Sequence, residues 1–382
     1  YAADRIGVAV SGGSDSMATL ALMAREHRVE AVTVDHGLRP EAAAEADFVA
    51  RFCATLGVPH TILRWPGPEA TGNLMDQARR ARLSLIADWA RGHGIAQVAL
   101  GHTADDQAET FLMRLARAAG PEGLAGMRER FEAGGVLWFR PFLGQSRAEL
   151  RGYLTRHGID WIEDPSNDNP RFDRVKARRA LKALKPLGIT IERLNETVHY
   201  LAMAEGALGF ALTRLVDAHV TTPAGDVVID ARGFARGIDP EMQRRLINAA
   251  LIWVSGADYA PRAARLAEFL MTWRARRDRT LHGCRIISTD TEIRITREAR
   301  AVAGLIVPVG VQWDRWRLIP PAGLDTSDMQ ISALGAEGLK AVKDWRESGV
   351  PRATLLASPA IWHADRLISA PLAGLANGWK AE

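Results

Sequence analysis

The first residues able to do chemistry form the stretch SGGSDS, directly after an apolar segment and before a helical pattern. A glycine-rich turn between a strand and a helix directs backbone N–H groups and the helix dipole to one place, which suits a phosphate. The glycines would let the backbone approach an anion closely, and the hydroxyl groups would add donors. A Gly/Ser turn with a helix cap explains the same letters about as well. The predicted phosphate-binding residues are Ser11, Gly12, Gly13, Ser14, Asp15 and Ser16.

Two details narrow the chemistry of this turn. The first 175 residues contain no lysine, so the turn is not a Walker-type phosphate loop, and it also lacks the glycine spacing of a dinucleotide turn. Asp15 carries a negative charge that would repel a phosphate unless a cation such as Mg²⁺ lies between them. The turn therefore predicts a phosphate site with a metal ion.

A second cluster, GHTADDQAET at positions 101–110, again begins where an apolar strand ends. Thr103 and Asp106 have the spacing of a capping box, which accounts for part of it. His102 and a second adjacent carboxylate exceed what a cap requires. Because carboxylates at two strand ends commonly hold Mg²⁺ on a triphosphate, Asp15 and a carboxylate of this cluster, Asp105 or Asp106, could hold the metal ion.

A third cluster, TVDHGLRP at positions 33–40, follows the second predicted strand. It would bring Asp35 and His36 to the same rim of the sheet as the other two clusters. A polar strand end before a turn explains these residues about as well, so Asp35 is the weakest of the predicted nucleotide contacts.

The fourth motif is basic. Seven basic residues and one acid lie between positions 171 and 185. Arg174 and Arg178 are four residues apart and would share one helix face, where arginine forks could meet phosphates of a nucleotide or a nucleic acid. The alternative is a solvated helix face.

The elements that must position these side chains are short apolar runs alternating with helical segments, from residue 6 to about residue 142. Alternation of this kind is typical of an α/β fold with a doubly wound, mostly parallel sheet, in which ligands bind beyond the carboxyl ends of the strands. The predicted strands are 6–10, 29–34, 60–63, 97–100 and 136–139. The predicted helices are 15–27, 42–57, 73–94 and 104–120.

The rest of the chain changes character. Residues 146–185 predict two more helices around a loop rich in Pro, Asn and Asp, and 189–280 have helical spacing without clear strands. A hairpin is predicted near 281–297. The expected domains are an α/β domain at 1–185, a mainly helical domain at 186–300 and a small C-terminal α+β module at 301–382.

The composition limits the class of protein. With 47% hydrophobic and 25% charged residues, the chain is not extensively disordered, and its net charge of +4 mildly favours polyanionic partners. No run of eighteen apolar residues occurs, so we expect no membrane span and a cytoplasmic protein. Cys53 and Cys284 are single and distant, which excludes a disulfide framework and a cysteine-based metal site.

These motifs together resemble a known family. SGGSDS after a strand resembles the PP-loop signature of the N-type ATP pyrophosphatases, which cleave ATP to AMP and pyrophosphate. Within that superfamily, four further stretches are similar to the bacterial tRNA(Ile)-lysidine synthetase family. They are DHGLRP, GHTADDQAETFLMRLARAAGPEGLAGM, RPFL at 140–143 and EDPSNDNPRFDRVKARR. The resemblance covers most of residues 6–180, and TLHGCRI at 280–286, with the helical segment before it, is a looser match to the family's tRNA-binding half.

The chain departs from the family pattern at two places. The family usually has R-G-[SA]-G where this chain has RAAG at positions 117–120. It usually has Arg-Asn where this chain has Arg174 and Val175. The second departure puts in doubt only the residue at position 175.

The resemblance implies an adenine nucleotide alpha hydrolase-like fold and a two-step reaction on the wobble cytidine of tRNA(Ile) with a CAU anticodon. ATP would adenylate the C2 oxygen of cytosine with loss of pyrophosphate. The ε-amine of free L-lysine would then attack C2 and expel AMP, giving lysidine. ATP, Mg²⁺, lysine and the tRNA are the implied cofactors and partners.

The resemblance also assigns roles to residues of this chain. Asp15 and Asp106 are the implied Mg²⁺ ligands, and the other catalytic candidates stabilise charge at the adenylated intermediate or contact RNA: His102, Arg174 and Arg178. The amine must be neutral to attack, which requires a base near it. The base stays open among Asp35, Asp105 and Glu109.

Three other functions are less well supported. A tRNA thiolase of the same superfamily would use cysteines for sulfur, often in C-x-x-C pairs, and this chain has two isolated cysteines. A glutamine-hydrolysing synthetase would need a Cys–His nucleophile pair, and the sequence offers no candidate for one. A non-catalytic nucleotide or RNA-binding protein would bind ATP without turnover, and the two aspartates beside the glycine loop argue against it.

Overall fold

The computed structural model describes residues 5–37, 42–67, 74–163, 172–257 and 259–382. The chain divides into two compact units, Tyr1–Gly206 and Ala207–Glu382. The expected domain boundaries after residues 185 and 300 stay a prediction. Within the described ranges, no helix has the length and apolar character needed to cross a membrane.

The first unit alternates strands and helices. Its strands are β1 (Ile6–Ala9), β2 (Val29–Asp35), β3 (His60–Arg64), β4 (Gln97–Leu100), β5 (Arg130–Ala133) and β6 (Val136–Phe139). Its helices are α1 (Ser14–Glu26), α2 (Ala42–Leu56), α3 (Leu74–Gly92), α4 (Ala104–Leu115), α5 (Pro121–Leu124), α6 (Arg147–Arg156), α7 (Asp173–Leu184) and α8 (Ile191–His219), of which α8 continues past the unit's end. All five predicted strands are confirmed with each end within one residue.

The strands form one sheet in the order β3-β2-β1-β4-β6-β5. All neighbours are parallel except the β5–β6 pair. Central strand β1 pairs with β2 and β4, so that Val8 lies between Ala31 and Ala99. The sequence prediction of an α/β fold with a mostly parallel sheet is confirmed, and the carboxyl ends of β1 and β4 are adjacent at one edge.

Helices cover both faces of this sheet. One core cluster joins β1 to the buried sides of α1, α2 and α6, and includes Val8, Met17 and Leu154. The other joins the opposite face to α3, and includes Ile86 and the fully buried Trp138. Burial on both faces explains why the strands are continuous apolar runs instead of alternating ones.

Two local predictions in this unit are wrong. Strand β5 was not expected, although Gly134 and Gly135 both adopt positive φ, 61° and 73°, as a two-residue hairpin turn requires. Helix α4 ends at Leu115, five residues before the expected end, because Ala118 turns the chain with φ of 53°. The family pattern has glycine at 118, and alanine adopts this conformation at a cost of about 1 kcal/mol.

The second unit combines helices with antiparallel sheets. Its strands are β7 (Val220–Thr221), β8 (Val227–Asp230), β9 (Arg279–Leu281), β10 (Cys284–Ser288), β11 (Glu292–Arg297), β12 (Val307–Pro308), β13 (Leu318–Ile319), β14 (Met329–Ala333), β15 (Pro359–His363), β16 (Arg366–Ser369) and β17 (Lys380–Ala381). Its helices are α9 (Ala231–Arg236), α10 (Pro240–Ser255), α11 (Ala263–Thr272), α12 (Ala299–Val302), α13 (Gly335–Ala341) and α14 (Arg352–Leu356). The sheets are β7-β8-β11-β10-β9, β12-β14-β15-β16 and β13-β17.

The predicted hairpin near 281–297 is confirmed as β10 and β11. The expectation of no clear strands before it is wrong: β8 pairs with β11, the short strand β7 pairs with β8, and the short strand β9 pairs with β10. Strand β8 has only four residues, and its last residue, Asp230, caps the following helix α9. Because the helix follows at once, the sequence shows no separate strand pattern. The mixed helices and strands after residue 300 agree with the expected α+β character.

Candidate active site

The SGGSDS stretch forms the loop between β1 and α1. Gly12 has φ of 85°, and a Cβ there would lie 2.7 Å from Cδ1 of Ile162. The carbonyl of Gly12 accepts a hydrogen bond from the Ile162 N–H at 2.9 Å. Glycine is required at position 12 for two reasons, its left-handed conformation and the contact with Ile162.

Helix α1 begins after this loop with Gly13 as its N-cap residue, which has no side chain to accept the first N–H groups. Those groups therefore offer an anion site at the positive end of the helix dipole. The Ser16 hydroxyl donates to the Gly13 carbonyl at 3.0 Å and is 3.1 Å from the Ser11 N–H, which donates to it. Ser16 thus stabilises the shape of the loop.

The end of β4 contacts this loop through backbone atoms. A Cβ on Gly101 would lie 2.8 Å from the Cα of Ser16 and 2.9 Å from the carbonyl oxygen of Asp15. Only glycine allows this approach, which places the residues after β4 beside the loop. The first and second sequence clusters therefore lie together, as predicted.

Asp106 is both a helix cap and a site residue. Its Oδ2 accepts hydrogen bonds from the N–H and the hydroxyl of Thr103, each at 3.0 Å. Its Oδ1 accepts from Arg174 at 3.2 Å and from Arg147 at 3.3 Å. Burial would raise the pKa of Asp106, but the two guanidinium groups outweigh it and the pKa is lowered. Asp106 is therefore a carboxylate at neutral pH.

Arg147, the first residue of α6, contacts three carboxylates. Its Nε donates to Asp15 Oδ2 at 2.9 Å, and its terminal nitrogens donate to Asp106 Oδ1 at 3.3 Å and Glu109 Oε1 at 3.4 Å. Its backbone N–H donates to Asp105 Oδ2 at 2.8 Å. The nearby carboxylates raise the pKa of Arg147 despite its burial. Sequence reasoning missed this residue.

Helix α7 supplies the two predicted arginines. Arg174 donates to Asp106, and Arg178 Nε donates to Glu109 Oε1 at 2.7 Å. The expectation that they share one face is confirmed, and that face is turned to α4. Val175, where the family pattern has Asn, is buried, so that departure changes a packing position.

His102 lines the same site and stays neutral. Arg140 Nε donates to its Nδ1 at 3.2 Å, which assigns the ring proton to Nε2. Burial lowers the pKa of His102 to about 4, although the Asp106 carboxylate opposes this. A neutral ring can donate one hydrogen bond to a negatively charged group without adding a positive charge.

The low pKa of His102 predicts a pH-dependent stability. Above about pH 6.5, the ordinary histidine pKa, this side chain is neutral in both the folded and the unfolded protein. As the pH falls from 6.5 toward 4, only the unfolded protein binds the proton. The free energy of unfolding therefore decreases, by up to about 3 kcal/mol. His102→Gln should lose less stability over this range in urea unfolding followed at several pH values. His157→Gln, on the exposed end of α6, is the control and should behave as the parent protein. Equal acid sensitivity of parent and His102→Gln would contradict the assignment.

These side chains surround a cavity of roughly 700 Å³ in the first unit. Arg82, from α3, also lines it, and burial lowers its pKa. It was not predicted, yet the sequence held a signal. Arg82 lies four residues after Ala78 and four before Ile86, both buried, so an arginine interrupts an apolar stripe. The cavity is lined by Ser11, Gly13, Ser14, Asp15, Ser16, His102, Asp106, Arg147, Arg151, Arg174 and Arg178, among others.

Some predicted residues lie elsewhere or are committed to other contacts. Asp35, at the end of β2, is not among the cavity residues, and its Oδ1 accepts the Gly37 N–H at 2.8 Å. Asp105 accepts the backbone N–H of Arg147. By contrast Glu109 is buried, and its Oε2 has no hydrogen-bond partner among the described residues. The parts of the motifs at 38–40 and 164–171 lie outside the described residues.

Comparison with known proteins identifies the family. The PP-loop domain family matches residues 1–184. The tRNA(Ile)-lysidine synthase of Ruegeria pomeroyi is 48% identical over 99% of this chain and 91% of its own length, and that of Hyphomonas neptunium is 41% identical over 77% and 81%. Among solved structures, the U34-tRNA thiolase NcsA of Methanococcus maripaludis is similar at 16% identity, with a TM-score of 0.46, over 53% of this chain and 74% of that one. The chain belongs to the tRNA(Ile)-lysidine synthase family of PP-loop proteins.

Proposed function

We propose that this protein joins the ε-amine of free L-lysine to C2 of the wobble cytidine of tRNA(Ile) with a CAU anticodon. The C2 oxygen of cytosine attacks the α-phosphorus of ATP and pyrophosphate leaves. The amine then attacks C2, AMP leaves with that oxygen, and a proton is lost. The observation that carries the proposal is the convergence of the α1 N-terminus, Asp15, Asp106 and five arginines on one cavity.

For the first step, the chain must stabilise the charge that builds on pyrophosphate. The free N–H groups at the start of α1 and the guanidinium groups of Arg82 and Arg151 suit phosphate oxygens. Arg151 Nε already donates to the Ser14 hydroxyl at 3.2 Å, which holds it beside the loop. These residues form the proposed phosphate-binding part of the cavity.

Asp15 and Asp106 fit the proposed Mg²⁺ ion. One oxygen of each lies on the guanidinium of Arg147, so the two oxygens converge on a single cation. Among the described residues, no group of three or more possible ligand side chains could hold a metal, so phosphate oxygens and water would complete the coordination. When bound there, Mg²⁺ would neutralise charge on the leaving pyrophosphate.

For the second step, we propose Glu109 as the group that takes the proton from the amine. It is 1% exposed, and its Oε2 has no partner, whereas Oε1 accepts from Arg178 and Arg147. A carboxylate held by one oxygen keeps the other available as a base. None of the three candidate bases is among the residues that line the cavity. Glu109 is preferred because it accepts hydrogen bonds from Arg147 and Arg178, which do line it, whereas Asp105 accepts a backbone N–H.

The basic residues at 171–185 would then have two roles, one toward the acids of α4 and one toward the phosphates of the tRNA. Arg174 and Arg178 face the acids of α4. Four other exposed basic residues of the run are not among the cavity residues and suit the phosphates of the tRNA: Lys176, Arg179, Lys182 and Lys185. A cytoplasmic location is part of the proposal because tRNA and ATP are found there.

Thiolase chemistry is disfavoured by both cysteines. Cys53 and Cys284 are buried in the cores of different units. Burial raises the pKa of Cys53 to about 11 and that of Cys284 to about 12, so neither forms the thiolate that sulfur transfer requires.

The proposal is tested with ATP, Mg²⁺, labelled lysine and tRNA(Ile) carrying CAU. Lysine should become covalently attached to the RNA, with one pyrophosphate released per lysine. The same tRNA with uridine at the wobble position should accept none. Pyrophosphate release without attached lysine would contradict the proposal.

A further inference from the structure

The guanidinium of Arg147 lies where Asp15 and Asp106 converge. Its Nε is 2.9 Å from Asp15 Oδ2 and a terminal nitrogen is 3.3 Å from Asp106 Oδ1, while the side chain is only 18% exposed. The other terminal nitrogen lies 3.4 Å from Glu109. Among the described residues, Arg147 is thus a cation shared by three carboxylates from two segments of the chain.

A divalent cation held by Asp15 and Asp106 would compete with this guanidinium for the same oxygens. Mg²⁺ takes oxygen ligands at about 2 Å, so an ion bound to both aspartates would lie where their hydrogen bonds from Arg147 now converge. Arg147 also lines the cavity beside Ser11, Gly13 and Ser14, where phosphate oxygens would lie. Phosphates accept guanidinium hydrogen bonds as well as carboxylates do.

We propose that Arg147 is a displaceable counter-ion that holds Asp15 and Asp106 together before the nucleotide binds and transfers to its phosphates when the metal–nucleotide complex enters. The inference rests on the proposed function for its ligand, ATP with a divalent cation. It needs neither tRNA nor lysine, so it can be tested apart from lysine transfer. If the proposal is right, Arg147 weakens the binding of the metal alone and strengthens the binding of the metal with ATP.

The test measures Mn²⁺ binding by electron paramagnetic resonance, with and without ATP, in the parent protein and Arg147→Gln. Without ATP the variant should bind Mn²⁺ about tenfold more tightly, because removing the competing, mostly buried charge favours the metal by about as much as one hydrogen bond to a charged group. With ATP it should bind the Mn²⁺–ATP complex about tenfold or more weakly, because a charged phosphate contact is lost. Arg147→Lys, which keeps the charge without the fork, should be intermediate in both.

Arg117→Gln is the matched control, because Arg117 also pairs with a carboxylate, that of Asp173, but is not among the residues that line the cavity. Its Mn²⁺ affinity without ATP should stay within about twofold of the parent's. Weaker binding of Mn²⁺ both with and without ATP in Arg147→Gln would mean that Arg147 only maintains the fold of the site. Unchanged Mn²⁺ affinity without ATP would mean that the metal does not compete with it; either result overturns the proposal. If Arg147→Gln shifts the Mn²⁺ affinity in opposite directions with and without ATP, but the parent protein does not attach lysine to tRNA, the proposed role of Arg147 is supported and the proposed reaction is rejected.

Discussion

Asp106→Asn is expected to slow ATP-dependent pyrophosphate release by about 10²–10³-fold while leaving tRNA binding largely intact. The substitution keeps the size of the side chain and an oxygen that can accept the capping bonds from Thr103. It removes the charge that pairs with Arg147 and Arg174 and that would hold the metal. The rate is measured from tRNA-dependent pyrophosphate release, and RNA binding from a filter or gel-shift titration.

The chain offers a control with the same local chemistry. Glu149 occupies the third helical position of α6 and forms a capping box with Ser146, as Asp106 does with Thr103. Glu149 is exposed and is not among the cavity residues. Glu149→Gln should therefore keep a rate close to that of the parent. If the two variants were slowed equally, helix capping and not charge in the cavity would explain the loss.

Gly101→Ala is expected to lower kcat/KM for ATP by about 10²-fold, because a displacement of about 1 Å between reacting groups is enough for such a loss. The added methyl group would lie 2.8 Å from the Ser16 Cα and 2.9 Å from the Ser16 nitrogen, which are backbone atoms that cannot rotate away. The loop after β4 must therefore separate from the loop after β1. Overpacking of this kind should also reduce stability by about 1–3 kcal/mol.

Gly144→Ala is the control for this prediction. A Cβ on Gly144 would have no atom within 4 Å. Both variants are compared by steady-state kinetics at saturating tRNA and lysine and by urea unfolding. Parent-like kinetics in Gly101→Ala would show that the two loops do not need their close contact for adenylation.

The parts of the site that could be predicted are those that depend on short, continuous stretches of sequence. Strands β1 and β4 are short apolar runs followed directly by polar clusters, and parallel neighbours in a sheet bring such ends together. Asp106 is both a helix cap and a cavity residue, since its two oxygens have different partners, and its role as a metal ligand stays a proposal. Local patterns therefore located the cavity and most of its acids.

What escaped prediction depends on distant contacts. Arg147 and Asp15 are 132 positions apart, and no periodicity links them. The sequence pattern places Arg147 only at the start of a helix, although its charge lies among the acids of the cavity. Strands β7 and β8 escaped prediction because they have only two and four residues, too few to show an alternating pattern. Arg82 was predictable in principle, since an arginine within a buried helix face requires a reason.

The adenylated RNA intermediate is the most direct test of the proposed reaction. The protein is incubated with tRNA(Ile) carrying CAU, Mg²⁺ and ATP labelled at the α-phosphate, without lysine, and the RNA is then isolated and digested. Label should be found on the wobble cytidine and should be released as AMP when unlabelled lysine is added. Absence of label on the RNA, or label that persists after lysine is added, would contradict the proposed two-step ligation.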